Sequence, residues 1–190
     1  LPTFDSWSPV VTIQANYIRF QGIRFGMGTR GVMVLNSKHT VIEDCIFWDN
    51  IIMVAGPSEG LVFRRNRVYT RSTYGHLGLN PGATTSLHLF SNDGGHIIYD
   101  NTFEGDHIWK DGIGGGDNDD PRDGPSRNTD IYNNRFSGFW DDPIEAEGGE
   151  QNVRIWDNHI DLTGTARDKA MGIAHAPIGT GPCYTFRNIV

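Results

Sequence analysis

One short pattern recurs seven times along this 190-residue chain and limits what it can become: apolar, any, apolar, two residues, Asn, any, apolar. It is plainest in LVFRRNRV (61–68), HIIYDNTF (96–103), TDIYNNRF (129–136) and VRIWDNHI (153–160), and it closes the chain as CYTFRNIV (183–190). Two earlier windows, IRFQGIRF (18–25) and TVIEDCIF (40–47), carry Ile23 and Cys45 where the Asn stands later. Read as strand, tight turn and strand, the frame sends alternate residues to one side. The inward set is then Ile18, Phe20 and Phe25; Ile42 and Phe47; Leu61, Phe63 and Val68; Ile98 and Phe103; Ile131 and Phe136; Val153, Ile155 and Ile160. Nearly all are β-branched or aromatic, the types that fill a pleated buried surface.

The Asn column, Asn66, Asn101, Asn134, Asn158 and Asn188, falls at the bend between the two strands. Asparagine tolerates the backbone angles of such a turn, and its amide both donates and accepts. Piled at the strand spacing of about 4.8 Å, these amides are expected to bond from one turn of the chain to the next. Successive column positions are 22, 21, 35, 33, 24 and 30 residues apart, so the shortest turn takes 21 residues and the excess is insertion. A third apolar strand follows each window, in VMVLN from Val32, IIMVAG from Ile51, LHLF from Leu87, GIGGG from Gly112, PIEAEG from Pro143 and GIAHAP from Gly172. A helical repeat would need apolar residues at i, i+3, i+4 and i+7, which the windows lack. The expected fold is all-β: a right-handed single-stranded parallel β-helix of about seven rungs, three short strands each, with an asparagine ladder. Residues 1–190 read as a single β-helix domain, either a processed form or a piece of a longer β-helix.

A formal net charge of −7 argues against nucleic acid as a partner, because neutralising phosphate takes a clustered basic surface. The sequence has no apolar run of the length that crosses a bilayer as a helix. Cys45 and Cys183 would lie five rungs apart, about 24 Å at the strand spacing. A disulfide needs Cα atoms within about 7 Å, so the two are not expected to pair with each other.

The repeat, with its Asn column and triangular rungs, resembles the pectate-lyase-like β-helix superfamily along essentially the whole chain. That resemblance implies an extracellular or cell-surface protein handling polysaccharide or oligosaccharide, with substrate lying across the face of the third strands. Asp141–Asp142 is the one fragment that matches polygalacturonase-like members, whose G-H-G and R-I-K segments are not present. The arginine motif R-x-P-x-x-R of the lyases is not present, since Arg122, Pro125 and Arg127 stand in other spacing.

On that face, Ile144 and Ala146 inward would leave Glu145 and Glu147 outward, about 7 Å apart along one strand. This suits two carboxyls sharing a hydrolysis, one protonating the leaving oxygen and one activating water. Asp142 is the third candidate acid, with Asp141 and Trp140 beside it to meet substrate. His88, outward between Leu87 and Leu89, and His175, from the opposite side, are candidate proton shuttles. His107, Lys110, Arg122 and Arg127 are candidate substrate contacts, the arginines suiting a carboxylate or sulfate on a sugar. The glycines of DGIGGGDNDDPRDGPSRN (111–128) would let a ligand approach the backbone, and Asp117, Asp119 and Asp120 could hold Ca²⁺. Tyr99, Tyr132, Trp156 and Phe186, each two residues before an Asn, should stack outside the solenoid, either binding sugar faces or a protein partner, or lying under a loop. The alternative function is a non-catalytic structural, adhesive or filament-forming β-helix, self-associating through its rung ends or that aromatic face.

Overall fold

The computed structural model describes residues 9–26, 30–70, 85–106, 111–116, 120–148, 151–163, 171–175 and 181–190. They form three parallel sheets wound as a β-helix. The first sheet stacks β1 (Pro9–Ile13), β4 (Arg30–Leu35), β7 (Ile51–Ala55), β10 (Thr85–Phe90), β13 (Asp111–Gly114), β16 (Ile144–Ala146) and β19 (Ile173–His175). The second stacks β2 (Arg19–Gln21), β5 (Val41–Glu43), β8 (Val62–Arg64), β11 (Ile97–Tyr99), β14 (Asp130–Tyr132), β17 (Val153–Trp156) and β20 (Cys183–Phe186). The third stacks β3 (Arg24–Phe25), β6 (Ile46–Trp48), β9 (Arg67–Tyr69), β12 (Thr102–Glu104), β15 (Arg135–Ser137) and β18 (His159–Asp161). Each strand pairs with the one a full rung away, so equivalent positions of the repeat become vertical neighbours.

The period-two pattern sets the core as expected. Phe47, Phe63, Phe103 and Phe136 are 1 % exposed or less and stack inside the bore, Phe103 on Phe136 at 5.0 Å between ring centres. Of the inward set only Ile18 and Phe20, on the first rung, are partly buried. Cys45 is buried and Cys183 half-buried, and the two are not joined by a disulfide.

The ladder is continuous from Asn66 to Asn188. The Oδ1 of Asn101, for example, accepts from the main-chain N–H and the Nδ2 of Asn66, at 2.9 and 3.1 Å, while its own Nδ2 donates to Asn134 Oδ1 and to the carbonyl of Phe63. Asn134, Asn158 and Asn188 repeat this arrangement, and at the lower end the Cys45 amide donates to Asn66 Oδ1. Every amide hydrogen-bonds inside a dry corner, where an unmade bond would cost about 1–3 kcal/mol.

One detail of the turn differs from expectation. The left-handed residue is the one before each Asn, and before Cys45 in the same frame: Asp44, Arg65, Asp100, Asn133, Asp157 and Arg187 have φ between 52° and 57°. The Asn is selected for its amide, and the strain falls on an exposed neighbour whose side chain reaches across rungs. Arg65 bonds Asp44, Asn133 bonds Asp100 and Arg187 bonds Asp157. A second left-handed column, His39, Gly60, Gly95, Asn128 and Asn152, turns the chain into the second sheet. It has no shared residue type, and so left no pattern to read.

Candidate functional site

The outer face of the first sheet carries one vertical line of side chains, Met33, Met53, His88, the bare Gly114 and then Glu145, in register from rung to rung. His88 does face outward, between the fully buried Leu87 and Leu89, and Phe90 presents its ring edge-on at 5.8 Å. Ile144 and Ala146 face the bore, as the alternation requires, so Glu145 lies on the outer side.

Glu145 is nevertheless only 3 % exposed. The expected open carboxylate pair is therefore corrected to one enclosed carboxyl, Glu145, and one half-buried carboxyl, Glu147, just beyond the end of β16. The glycines explain the difference. A Cβ at Gly114 would sit 3.0 Å from both Cβ and Oε2 of Glu145, so the space opened by that glycine is filled by the protein's own carboxyl and not by a ligand. Residues 120–126 then fold back over the same edge. Gly124 (φ +65°) donates its N–H to the Leu89 carbonyl and lies so close to the carbonyl of Glu147 that a Cβ there would be 2.3 Å away. Asp123, fully buried, pins the segment by accepting from the main-chain N–H groups of Ser91 and Gly116.

Beside Glu145 the entry to β16 holds Asp141 and Asp142, 2 % and 8 % exposed, with Trp140 half-buried ahead of them. Burial pushes the Asp142 carboxyl up to about 6, and the charges of Asp141, Glu145 and Glu147 push the same way against one N–H from Met171 at 2.5 Å. An acid in this setting carries its proton into the mildly acidic range, as a proton donor must.

Other expected contacts are dispersed. His175 is in register with Ala146, not with Glu145, so it belongs to the bore-facing column of the last rung, where its Nε2 meets Thr185 Oγ1 at 3.1 Å. Ala174 takes the place beside Glu145. Asp120 is turned to Arg122, accepting from its main-chain and side-chain nitrogens. Among the described residues no three His, Cys, Asp or Glu side chains converge to hold a metal ion. Asp117, Asp119, His107 and Lys110 lie outside the described residues. Arg122 and Arg127 are exposed and line a cavity of about 230 Å³ with Asn92, Asp93, Pro121, Ser126 and Gln151.

On the second sheet the aromatic column forms as expected: Tyr99, Tyr132, Trp156 and Phe186 stack at 4.9, 4.5 and 5.8 Å with planes within 10° of parallel. Their faces are spent on one another, and Arg64 and Arg187 stand over the two ends. The stacking faces are used within the column, while Phe186, at its end, stays 43 % exposed. Two rungs below Tyr99, beneath Arg64, the fully buried Glu43 accepts from Arg19, Arg64 and Arg65. Loss of water works to raise its pKa, and the arginines outweigh this and hold the carboxyl below the usual range.

The structure also brings out His96, which occupies an inward apolar slot of the repeat and is 0 % exposed. Its Nδ1 accepts from Leu61 N–H at 3.1 Å and its Nε2 meets Asn92 Oδ1 at 2.9 Å. Asn92 in turn donates to the carbonyls of Arg122 and Gly124, tying the histidine to the segment over the carboxyls. A polar letter at the head of HIIYDNTF was the available signal for it. No family model, no curated protein and no solved structure matches the chain.

Proposed function

We propose that this chain acts on polysaccharide outside the cell, in the manner of the pectate-lyase-like β-helix proteins, and cleaves a glycosidic bond at the rung of β16. The observation that carries the reading is the gathering of Asp141, Asp142, Glu145 and Glu147 at one strand, with Asp142 protonated up to about pH 6. Asp142 gives its proton to the leaving glycosidic oxygen as the C–O bond breaks. Glu147, the most accessible of the four, takes a proton from the water that adds to the anomeric carbon. Glu145 contributes charge that keeps the Asp142 proton in place, and His88 with Phe90 offers a polar edge and an apolar surface two rungs below β16.

The test is reducing-sugar release from a panel of neutral and acidic glycans, with absorbance of unsaturated ends read in parallel. Hydrolysis without unsaturated product is expected, with a basic limb near pH 6 that disappears in Asp142→Asn together with the activity. Unsaturated ends would replace hydrolysis by elimination, and activity unchanged in both Asp142→Asn and Glu147→Gln would remove the site. The enclosure of Asp141 and Glu145 favours a second reading, a non-catalytic structural or adhesive β-helix whose carboxyls only knit rungs together. Concentration-dependent association by sedimentation, with no cleavage of any glycan, would decide for it.

A further inference from the structure

Two methionines on the outer face of the first sheet have no part in the carboxyl chemistry. Met33 of β4 pairs in register with Met53 of β7, and Met53 with His88 of β10, so two thioethers and an imidazole stand on three successive rungs. All three side chains are half-buried, and the residues on either side of each along its strand are 1 % exposed or less, which puts the three together on the outer surface. Among the described residues the core is built from Val, Ile, Leu, Phe, Ala and Cys without methionine, whereas two of the chain's four methionines stack here. Leu35, Ala55 and Phe90 make the next outward column on the same strands, so one side of the group is apolar, and the Phe90 ring meets His88 edge-on at 5.8 Å.

We infer that Met33, Met53 and His88 form a binding site for Cu(I). A thioether is neutral, polarisable and soft, and selects soft cations, while imidazole suits copper among other metals. Two thioethers and one imidazole, all uncharged, therefore match a soft monovalent ion and offer little to Ca²⁺ or Mg²⁺, which take oxygen ligands. Bonds of about 2.0–2.3 Å to nitrogen and sulfur set two donors about 4 Å apart across one ion. That is close to the strand spacing of about 4.8 Å, and the rotatable arm of methionine makes up the difference. The apolar column alongside limits the access of water to such an ion. A formal net charge of −7 favours the approach of any cation, and the donor set decides which one stays. The site is independent of the polysaccharide reading, since it uses none of the four carboxyls.

The experiment adds Cu(I), kept reduced by ascorbate and buffered by bicinchoninate, to the full chain carrying Cys183→Ser. That substitution removes the half-buried thiol; Cys45 is buried, and burial pushes its thiol pKa up. One Cu(I) per chain is expected. Met53→Leu keeps the size of the side chain without its sulfur, and should weaken binding about a hundredfold or more, because loss of a group that only orients a ligand already costs about 10–100-fold. Met33→Leu should weaken it as well, and neither change should move the metal-free melting temperature by more than a few degrees. X-ray absorption of the loaded Cys183→Ser chain reads the ligands directly, with sulfur neighbours expected at about 2.3 Å. No binding of Cu(I), binding unchanged when Met33→Leu and Met53→Leu are combined, or nitrogen and oxygen neighbours alone overturns the site. Zn(II) held as tightly as Cu(I), and lost in the same variants, overturns the choice of ion.

Discussion

Acid should weaken this solenoid through His96, by an amount that one substitution can isolate. The imidazole is enclosed and neutral: Nδ1 accepts from Leu61 N–H, so a proton there would set two donors against each other with no water to separate them. Burial lowers its pKa from 6.5 to about 4, with Glu59 as a weaker opposing influence. Between those values the unfolded chain binds a proton that the folded chain refuses, so stability falls as pH falls. Loss starts near pH 6.5 and is complete below 4, amounting to about 3 kcal/mol in all and about 2 kcal/mol by pH 5. Asp142 acts in the opposite sense: its folded value of about 6 lies above the ordinary 3.8, so its contribution is present in acid and lost as pH rises through 6. A variant that keeps Asp142 cancels that effect. Urea unfolding of wild type and His96→Gln at pH 7, 6 and 5 is the assay, the glutamine retaining one donor and one acceptor without titrating. The gap between the two should close by about 2 kcal/mol from pH 7 to pH 5. Parallel curves would refute the argument, because they would mean that the ring accepts its proton in place.

Removing Asn134 from the middle of the ladder orphans the Asn101 amide and the Ile98 carbonyl, so Asn134→Ala should cost about 3 kcal/mol in denaturant unfolding, and Asn188→Ala, on the last rung, distinctly less. Tyr132 stacks on both Tyr99 and Trp156, and Tyr132→Ala should lower stability by about 2 kcal/mol, more than Phe186→Ala with its single ring neighbour. Gly114→Val would drive a branched side chain into Glu145, and should abolish glycan cleavage while shifting the melting temperature by several degrees. Asp142→Asn should lose more stability than the unsubstituted protein on acidifying from pH 7 to 5, read from melting temperatures, since the carboxyl that offsets His96 is gone.

The rungs were legible in the sequence because a parallel solenoid writes its geometry as period: an inward Phe or Ile at fixed distance from each Asn needs no other context. The ladder and the aromatic column followed from the same frame. Burial of the carboxyl cluster did not, because the bare Gly114 whose space Glu145 fills and the Gly124 turn packed on the Glu147 carbonyl lie in a preceding segment that carries no repeat. The misplacement of His175 has a similar source. Alternation in a three-residue strand fixes which residues share a side, but not which of them is level with Glu145; that register came from pairing with β16. His96 escaped attention because a histidine inside an apolar slot is visible only as an exception to the pattern.

The asparagine corner bonds each turn of the chain to the next at the same place, and does so whether 21 or 35 residues intervene. With the three sheets paired rung on rung, differences in length fall in the segments between strands. A lineage could lengthen, shorten or exchange the segments crossing the carboxyl-bearing side without resetting the register of anything above or below. Such a scaffold lets specificity drift while its foundation stays in place.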